Sequence, residues 1–418
     1  MGHSVFARIL LVLAVAVALV PARADSTVQP KPERFDLTRP EIKTFIDEVA
    51  RRNSLSRRDL SKLLGKAEPQ PKIIELITKP AERVSPWWEY RARFMTEERI
   101  ALGSQLWQEH REDLERIATE RGVPAEYIVA IIGIETKYGR ITGRYRVLDA
   151  LATLAFDYPP RSEFFRKELE QFVLLAREEQ LDPLKTLGSY AGAMGNAQFM
   201  PSSYRKFAVD AQDDKKRDLW DWDDVFASIA NYFREHGWET GGPVMADVDL
   251  DPDPTFVIDT RNLQLNETLS SLAAQGVETR TDAPGSTPAM LISAEQSDGP
   301  AYRVGFNNFQ VITRYNRSPR YAMAVHDLAE AVAERVKAMP AGTAERRPAS
   351  ESDVSAPPPE GTTPATTTEA RSSAAPSAAT TTETPSSAAP QASQEPPVSP
   401  LAEPASAPPT APAPEAKP

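Results

Sequence analysis

The feature that most constrains the fold is an uncharged, mostly branched apolar run, Ile128 to Ile134, that leads directly to Glu135. A run of this kind has to be buried, so the carboxylate that follows it lies against an apolar wall. Loss of hydration there disfavours the charged form and raises the pKa of the carboxyl toward values suited to a general acid. A glutamate that closes a buried helix can equally be a solvated cap or half of an ion pair. The run therefore predicts a buried helix and leaves these interpretations of Glu135 open.

The first residues have the pattern of a secretory signal peptide. Arg8 precedes an apolar run from Ile9 to Val20, and Ala22 and Ala24 provide the small, alternating residues of a signal-peptidase site. The run is too short for a comfortable transmembrane helix. We therefore expect residues 1–24 to be removed and the mature protein to be soluble in a bacterial periplasm, without a membrane anchor.

The chain has no cysteine. Disulfides, cysteine metal sites and a lipid-bearing N-terminal cysteine are therefore excluded, although export itself permits disulfides. The formal net charge is −11, and no basic stripe interleaved with aromatic residues is present. This pattern argues against nucleic acid as a partner.

The last part of the chain, residues 341–418, is rich in Pro, Ala, Ser, Thr and Glu and nearly lacks large apolar side chains. Such a composition cannot bury enough surface to offset the entropy lost on ordering, so we expect a disordered tail. A plain solubilising spacer is the simpler interpretation of this tail, and a specific binding arm is the alternative.

The chain between these ends is predicted to be mainly α, with a small β-rich insertion. Apolar residues recur at spacings of three and four in helical stretches at 42–52, 56–64, 96–121, 125–135, 162–179, 225–236 and 321–339. Residues 244–250 alternate at period two, 256–258 and 289–292 are short strand-like runs, and 302–306 leads out of this β-rich part. The predicted regions are an N-terminal helical region, a helical core, the insertion and a return to the helical body, at 25–94, 95–240, 241–306 and 307–340.

A second informative stretch runs from Ser189 to Tyr204 and is rich in alanine and glycine. Small residues allow a ligand to approach the backbone closely, while Ser189, Asn196 and Gln198 offer neutral hydrogen-bonding groups suited to sugar hydroxyls and amides. Tight helix packing, with the next helix starting at Pro201, is the alternative interpretation.

Four motifs in consistent order resemble the membrane-bound lytic transglycosylase B family of peptidoglycan-cleaving enzymes. The motifs are Ile132 to Gly139, Leu151 to Pro159, Ser189 to Tyr204, and Thr313 to Asn316. The resemblance covers about Pro40 to Arg335 and implies a lysozyme-like helical core, with an additional helical domain, in a soluble, non-lipidated member of the family.

The resemblance also implies a reaction on peptidoglycan glycan strands in which Glu135 acts as acid and then as base. The carboxyl protonates the oxygen between N-acetylmuramic acid (MurNAc) and N-acetylglucosamine (GlcNAc), and the carboxylate then deprotonates the muramyl 6-hydroxyl, which gives a 1,6-anhydro product. An internal nucleophile removes the need for a second carboxylate about 5 Å away, as in retaining hydrolases. Asp149 and Asp157 remain open as partners, with structural roles as the alternative. No cofactor is required for this chemistry.

Substrate contacts are likewise implied by position. Ser189 and Gln198 are expected to hydrogen-bond the sugar near Glu135, with Phe199 as a wall. Tyr90, Tyr315, Asn316 and Tyr321 are expected to line the groove, because aromatic faces suit the apolar faces of pyranose rings; structural packing is the alternative for the tyrosines.

The chain departs from the family pattern after Tyr158 and Pro159. The pattern places two arginines and then a tyrosine there, whereas this chain has Pro160-Arg161 and Phe164. Arg161 alone is left to meet peptide carboxylates or an acetamido group.

Family members also carry a calcium loop that resembles an EF-hand. The oxygens of Asp210, Gln212, Asp214, the Lys216 carbonyl and Asp224 could supply such a structural Ca²⁺ site, since calcium prefers oxygen ligands. The turn glycine expected at the sixth position is Lys215, however, and the basic run 215–217 adds positive charge. A charged loop held by its own Lys–Asp pairs is therefore the alternative.

Two other functions remain open at this stage. A hydrolytic muramidase would let water attack the sugar in place of the 6-hydroxyl. A non-catalytic peptidoglycan-binding scaffold would use the tail to recruit partners, and the presence of Glu135 argues against it. Proteins of cell-wall synthesis or division, as partners, are not identified by the sequence.

Overall fold

Helices make up most of the described structure, so the prediction of a mainly α fold is confirmed. The computed structural model describes residues 34–78, 85–256 and 263–339, and both the predicted signal peptide and the predicted tail lie outside these ranges. None of the helices within the described ranges is long and apolar enough to cross a membrane. In chain order the helices are α1 Pro40–Arg52, α2 Arg57–Leu64, α3 Pro71–Thr78, α4 Trp87–Ala92, α5 Glu97–Glu109, α6 Arg111–Arg121, α7 Ala125–Thr136, α8 Val147–Asp157, α9 Ser162–Glu178, α10 Pro201–Phe207, α11 Trp222–Glu235, α12 Leu269–Ala273, α13 Asn307–Tyr315 and α14 Pro319–Ala338.

The apolar run forms α7, which is buried along nearly its whole length. Every residue from Tyr127 to Thr136 is buried, and α7 packs against α5, α6, α11 and α14. Isoleucine and valine cost a few tenths of a kcal/mol relative to alanine in a helix. Burial of each such side chain contributes about 1.5–3 kcal/mol, so packing outweighs the weak helix propensity. The position of Glu135 is therefore fixed by the burial of the residues before it.

The predicted β-rich insertion is confirmed as an antiparallel sheet with a small core of its own. Five strands are hydrogen-bonded in the order β4-β6-β7-β3-β5. Its core lies between the sheet and α12 and includes Leu272, Val277 and Val304. A separate pair, β1 Tyr145–Arg146 and β2 Leu187–Gly188, lies beside the helical body. The strands of the larger sheet are β3 Met245–Leu250, β4 Glu267–Thr268, β5 Val277–Thr279, β6 Pro288–Ser293 and β7 Tyr302–Gly305.

Two local predictions differ from the structure. The helical stretch at 96–121 is two helices, because the backbone of His110 leaves the helical conformation between α5 and α6. This break places the His110 ring against Trp222 and Phe226 of α11, with ring centroids 5.7 Å apart in both pairs. Phe256 is not part of a strand, and the rest of the run predicted at 256–258 lies outside the described residues.

Gly143 allows a backbone crossing that fixes the start of the Ser189 stretch. Its φ is +102°, and a Cβ at this position would lie 2.0 Å from the carbonyl carbon of Gly188 and 2.4 Å from the amide nitrogen of Ser189. No side chain fits there unless the backbone moves. Gly237, with φ of +92°, has nothing within 4 Å of the same point.

We expect Gly143→Ala to lower the free energy of unfolding by about 1–3 kcal/mol more than Gly237→Ala. Both substitutions carry the strain of a positive φ, roughly 1–2 kcal/mol, but only Gly143→Ala forces a side chain into a neighbouring backbone. Urea unfolding of the two variants measures the difference. Equal losses would show that the crossing at Gly188 is loosely packed.

Candidate active site

Glu135 lies near the C-terminal end of α7 with 3% of its surface exposed. The phenol of Tyr321, in the first turn of α14, donates a hydrogen bond to Oε1 of Glu135 at 2.6 Å. The side chain of Ser318 caps α14 by accepting from the backbone N–H of Tyr321, which fixes the start of that helix. The apolar wall and the phenol therefore meet at one carboxylate.

Tyr315 and Tyr321 keep their protons in this site. Burial raises the pKa of both phenols well above the usual value, and the charge of Glu135 raises it further. The Tyr315 hydroxyl donates to the carbonyl oxygen of Ala197 at 2.8 Å, which connects α13 to the Ser189 stretch. Both tyrosines are therefore neutral, and Tyr321 acts on Glu135 only as a donor.

A tight turn follows Glu135 and joins α7 to the same stretch. Lys137 and Tyr138 both have positive φ, at 50° and 59°. The Thr136 hydroxyl accepts from the Gly139 N–H at 2.9 Å, and its proton is shared between the carbonyl oxygens of Ile132 at 3.1 Å and Asn196 at 3.3 Å. The turn and the stretch are thus locked together behind the carboxylate.

The Ser189 stretch is a series of turns, so the interpretation as tight helix packing is wrong, although Pro201 does begin α10. Ser189 and Ala193 hold the first turn: the Ser189 N–H donates to the Ala193 carbonyl at 2.8 Å, and the Ser189 hydroxyl accepts from the Ala193 N–H at 3.0 Å. Met194 and Phe199 then form an antiparallel bridge.

Gln198 and Asn316 each present a buried polar atom without a partner. Gln198 donates through Nε2 to the carbonyls of Thr142 and Gly195 at 3.1 and 2.9 Å. Its Oε1, and Nδ2 of Asn316, have no hydrogen-bond partner among the described residues. A buried polar group left in this state costs about 1–3 kcal/mol. Oε1 of Gln198 can accept from a ligand hydroxyl or amide N–H, and Nδ2 of Asn316 can donate to a carbonyl or hydroxyl.

The remaining aromatic residues form a cluster around these groups. Phe199 packs on Tyr315 with ring centroids 5.8 Å apart, and a small cavity is lined by Gln198, Phe199 and Tyr315. Tyr90 lies close enough to Tyr321 to contribute to its raised pKa, but only 3% of Tyr90 is exposed. Tyr90 is therefore mainly a packing residue, and at most an edge of its ring can contact a ligand in the groove.

Sequence reasoning missed Tyr232, which lies in the last turn of α11. Its ring packs against Phe199 and Tyr315 with centroids 5.5 and 4.8 Å away, and its hydroxyl donates to the carbonyl of Arg314 at 2.7 Å. It supports the cluster from behind. A tyrosine in an amphipathic helix has no sequence signal that separates it from ordinary core.

Arg161 lies over two phenylalanine rings, with Cζ 4.7 Å from the ring centroid of Phe164 and 4.9 Å from that of Phe165. Burial lowers the pKa of its guanidinium, and Nη2 has no hydrogen-bond partner within the described ranges. An anion or carbonyl oxygen would satisfy this nitrogen. The expected contact with a carboxylate or acetamido group stays a prediction.

Asp149 and Asp157 are engaged elsewhere. Asp149 accepts two bonds from Arg146 at 2.7 and 2.6 Å, and Asp157 accepts from Arg39 at 2.7 Å. Within the described ranges, Glu135 is the only carboxylate among the groups that shift the pKa values of Tyr315 and Tyr321. These contacts support structural roles for the two aspartates.

In the candidate calcium loop, carboxylate oxygens accept hydrogen bonds from the backbone of the loop itself. Both oxygens of Asp224 accept N–H bonds, from Ala211 at 2.7 Å and Asp218 at 2.6 Å, and Asp210 accepts from the Lys215 N–H at 2.7 Å. Lys215 has φ of +72°, the conformation for which an EF-hand loop uses glycine. The turn is thus retained, although its glycine is absent.

The same loop contains its own cation. The ammonium of Lys216 pairs with Asp218, and this bond together with nearby carboxylates raises the pKa of Lys216. Gln212 donates to Asp221 at 3.0 Å, and Asp214 accepts the Lys216 N–H at 2.9 Å. Across the described residues, no group of three or more acidic or histidine side chains is placed to hold a metal ion. The side chains as arranged do not fit calcium.

Comparison with known proteins agrees with the resemblance noted from the motifs. The chain matches the family described as Transglycosylase SLT domain over residues 38–330. It is 40% identical over 305 residues to membrane-bound lytic murein transglycosylase B of Escherichia coli K12, covering 70% of this chain and 83% of that protein.

Solved structures give the same result. The catenated lytic transglycosylase SltB1 from Pseudomonas aeruginosa is 46% identical, with a TM-score of 0.69 over 71% of this chain and 98% of that one. The E. coli lytic transglycosylase Slt35 in complex with calcium is 38% identical, with a TM-score of 0.67 over 73% and 97%. The prediction of a lysozyme-like helical core is confirmed by these neighbours. The chain therefore belongs to the transglycosylase SLT domain family, with the membrane-bound lytic murein transglycosylase B proteins among its relatives.

Proposed function

We propose that this protein is a lytic transglycosylase that cleaves the β-1,4 bond between MurNAc and GlcNAc in peptidoglycan and leaves 1,6-anhydro-MurNAc ends. The observation that carries the proposal is the buried carboxylate of Glu135, held by a neutral phenol at 2.6 Å in a chain of this family. The amide atoms of Gln198 and Asn316 that have no partner among the described residues suit the hydroxyl and acetamido groups of such a glycan.

The reaction needs two proton transfers at one carboxyl group. Glu135 gives its proton to the glycosidic oxygen as the bond from C1 of MurNAc to that oxygen breaks, and positive charge develops on the sugar ring. The resulting carboxylate then takes the proton of the muramyl 6-hydroxyl, whose oxygen bonds to C1. GlcNAc leaves with the first proton, and Glu135 regains the second. Tyr321 holds Oε1 in place throughout.

The engagement of Asp149 and Asp157 elsewhere favours this route over hydrolysis with retention. A retaining hydrolase places a carboxylate nucleophile about 5 Å from the acid. The two aspartates that were candidates for this role, Asp149 and Asp157, are bound to arginines. The muramidase alternative then depends on water, which a 6-hydroxyl held on the same sugar outcompetes through its high effective concentration.

This function places the protein where peptidoglycan lies, so we also propose that it is exported to the periplasm and that residues 1–24 are removed. The mature chain would begin at Asp25. The N-terminal mass of protein recovered from a periplasmic extract measures this, and an uncleaved N-terminus there would contradict the signal-peptide prediction.

Glu135→Gln should keep the fold and lose activity by at least about two orders of magnitude, because it removes the proton donor with little change of shape. The measurement is digestion of purified peptidoglycan followed by muropeptide masses. Anhydro-muropeptides from the native chain alone would confirm catalyst and chemistry together. Hydrated reducing ends would indicate a muramidase, and the same products from both proteins would contradict the role of Glu135.

Tyr321→Phe should lower kcat by about tenfold to a hundredfold, because a hydrogen bond to a charged group contributes about 1.5–3 kcal/mol. Tyr127→Phe is the matched control, since that buried hydroxyl contacts Nδ1 of His326 at 2.8 Å, a contact apart from Glu135. Steady-state release of anhydro-muropeptides measures both variants. A similar loss of kcat in both would assign the effect to general loosening of the core.

The loop at 210–224 is expected to be stable without calcium, because the Lys216 ammonium supplies its positive charge. Melting temperatures of the native chain in calcium and in chelator should coincide. Lys216→Met should melt lower and be raised again by calcium, since its carboxylates then lack a cation. Lys215→Met, whose ammonium makes no ion pair within the described residues, is the control. A lower melting temperature of the native chain in chelator would contradict this assignment.

A further inference from the structure

A second buried carboxylate, Asp327, connects the helix of Tyr321 to two other parts of the fold. Asp327 lies on α14, and only 7% of it is exposed. Its Oδ2 accepts from Nε of Arg91 at 2.5 Å, and its Oδ1 accepts from Nη1 of Arg303 at 2.7 Å. Both oxygens are thus held by guanidinium groups from outside the helix.

The two arginines come from different elements. Arg91 lies on α4 directly after Tyr90, and Arg303 lies on β7 of the sheet. Asp327 follows Tyr321 by six residues, or about 9 Å along a helix. One carboxylate therefore fixes the distance between the helix that carries Tyr90 and the helix that carries Tyr321.

Among the described residues Arg91 pairs with no acid other than Asp327, whereas Arg303 also pairs with Asp247 at 3.2 Å. The neighbouring His326 is neutral at pH 7, because burial lowers its pKa to about 4, and its Nδ1 contacts the hydroxyl of Tyr127. Removal of one partner from a buried ion pair leaves an uncompensated charge, which is strongly destabilising locally.

Space is available for the arginines to move. A cavity of about 320 Å³ borders the pair and is lined by Arg91, Arg303, Asp327 and Glu330, among others. Without the carboxylate, the Arg91 guanidinium can turn into this cavity and regain water. The α4 helix would then lose its connection to α14 at that point.

A second arginine supports the same helix from α14. The guanidinium of Arg320 lies 5.5 Å from the centroid of the Tyr90 ring and donates to the carbonyl of Ser85. Two residues of α14 therefore act near Tyr90: Arg320 contacts its ring, and Asp327 binds the residue that follows it. Trp87 and Phe94 also pack against the Tyr90 ring, with centroids 6.4 and 5.2 Å away, so α14 and the segment around α4 place it together.

We propose that Asp327 is a positioning residue for the glycan groove. Its bond to Arg91 holds the Tyr90 side chain in the position beside Tyr321 and Glu135 that sugar binding requires. The bond to Arg303 anchors the sheet and does not act on the groove. This role rests on the proposed function, since it assumes that the edge of Tyr90 contacts a sugar.

The two ion pairs of Asp327 can be removed separately. Arg91→Gln removes the pair with α4 and leaves Asp327 paired with Arg303, whereas Arg303→Gln does the reverse. We expect Arg91→Gln and Asp327→Asn to raise KM about tenfold with kcat changed less than about threefold, because they weaken binding equally in the ground state and the transition state. Arg303→Gln should leave KM unchanged.

Glu330→Gln is the control for charge on the same helix. Glu330 lines the same cavity one turn further on and makes no ion pair in the part of the chain that the structure describes. Assays are run well below the melting temperature of each variant, so that the folded fraction is equal. A rise of KM in Glu330→Gln or Arg303→Gln equal to that in Arg91→Gln would overturn the proposal.

A double-mutant cycle separates positioning from general destabilisation. In a Tyr90→Leu background, Asp327→Asn should raise KM no further, because its effect passes through Tyr90. Additive effects on KM would show that Asp327 acts on the fold as a whole.

Binding to an inactive background keeps this test independent of the chemistry. Calorimetry of a MurNAc–GlcNAc oligomer against Glu135→Gln, with and without Arg91→Gln, gives the dissociation constants. A tenfold weaker binding with Arg91→Gln supports the positioning role, and equal binding refutes it. Absence of anhydro products from the native chain would refute the proposed function but leaves this binding comparison valid.

Discussion

The hydrogen bond from Tyr321 to Glu135 is the contact on which the rest of the site depends. It joins α7 to α14 through two residues that are 186 positions apart in the chain. Each helix is placed by its own burial, and the bond forms only when both are packed. The site is therefore a product of the whole helical body, and any change that shifts α14 along α7 reaches the carboxylate directly.

Buried acids in the described part of this protein differ in the groups that bind them. Asp149, Glu170 and Glu179 each accept hydrogen bonds from an arginine. Glu135 meets a phenol that stays neutral. A neutral donor supports the carboxylate without forbidding its protonation, which suits a group that has to hold a proton in one step and lack it in the next.

Much of this architecture is predictable from sequence. Burial of the run before Glu135 and alternation in the insertion both follow from periodicity, which is strong in long elements. The break at His110 is not predictable, because it depends on contacts with Trp222 and Phe226 on a distant helix. Short helices such as α3, α4 and α12 offer too few turns for a period to show.

The candidate site is likewise only partly predictable. The resemblance of the motifs predicts its residues, whereas their partners depend on the three-dimensional fold. Asp327 lies in a predicted helical segment, and nothing in its sequence indicates that it binds two guanidinium groups from residues 24 and 236 positions away. Lys215 and the basic run 215–217 mark a departure from a calcium loop in the sequence, but the pairing of Lys216 with Asp218 depends on the shape of the loop.

The unpartnered amide atoms of Gln198 and Asn316 have a consequence for how such a protein evolves. Each costs the free protein about 1–3 kcal/mol, a sizeable share of the net stability of a typical domain. Selection for thermal endurance alone would replace both amides with apolar side chains of similar shape. Under the proposed function, their retention reflects the need to bind a polar ligand, and drift after loss of that need would erase these two residues early.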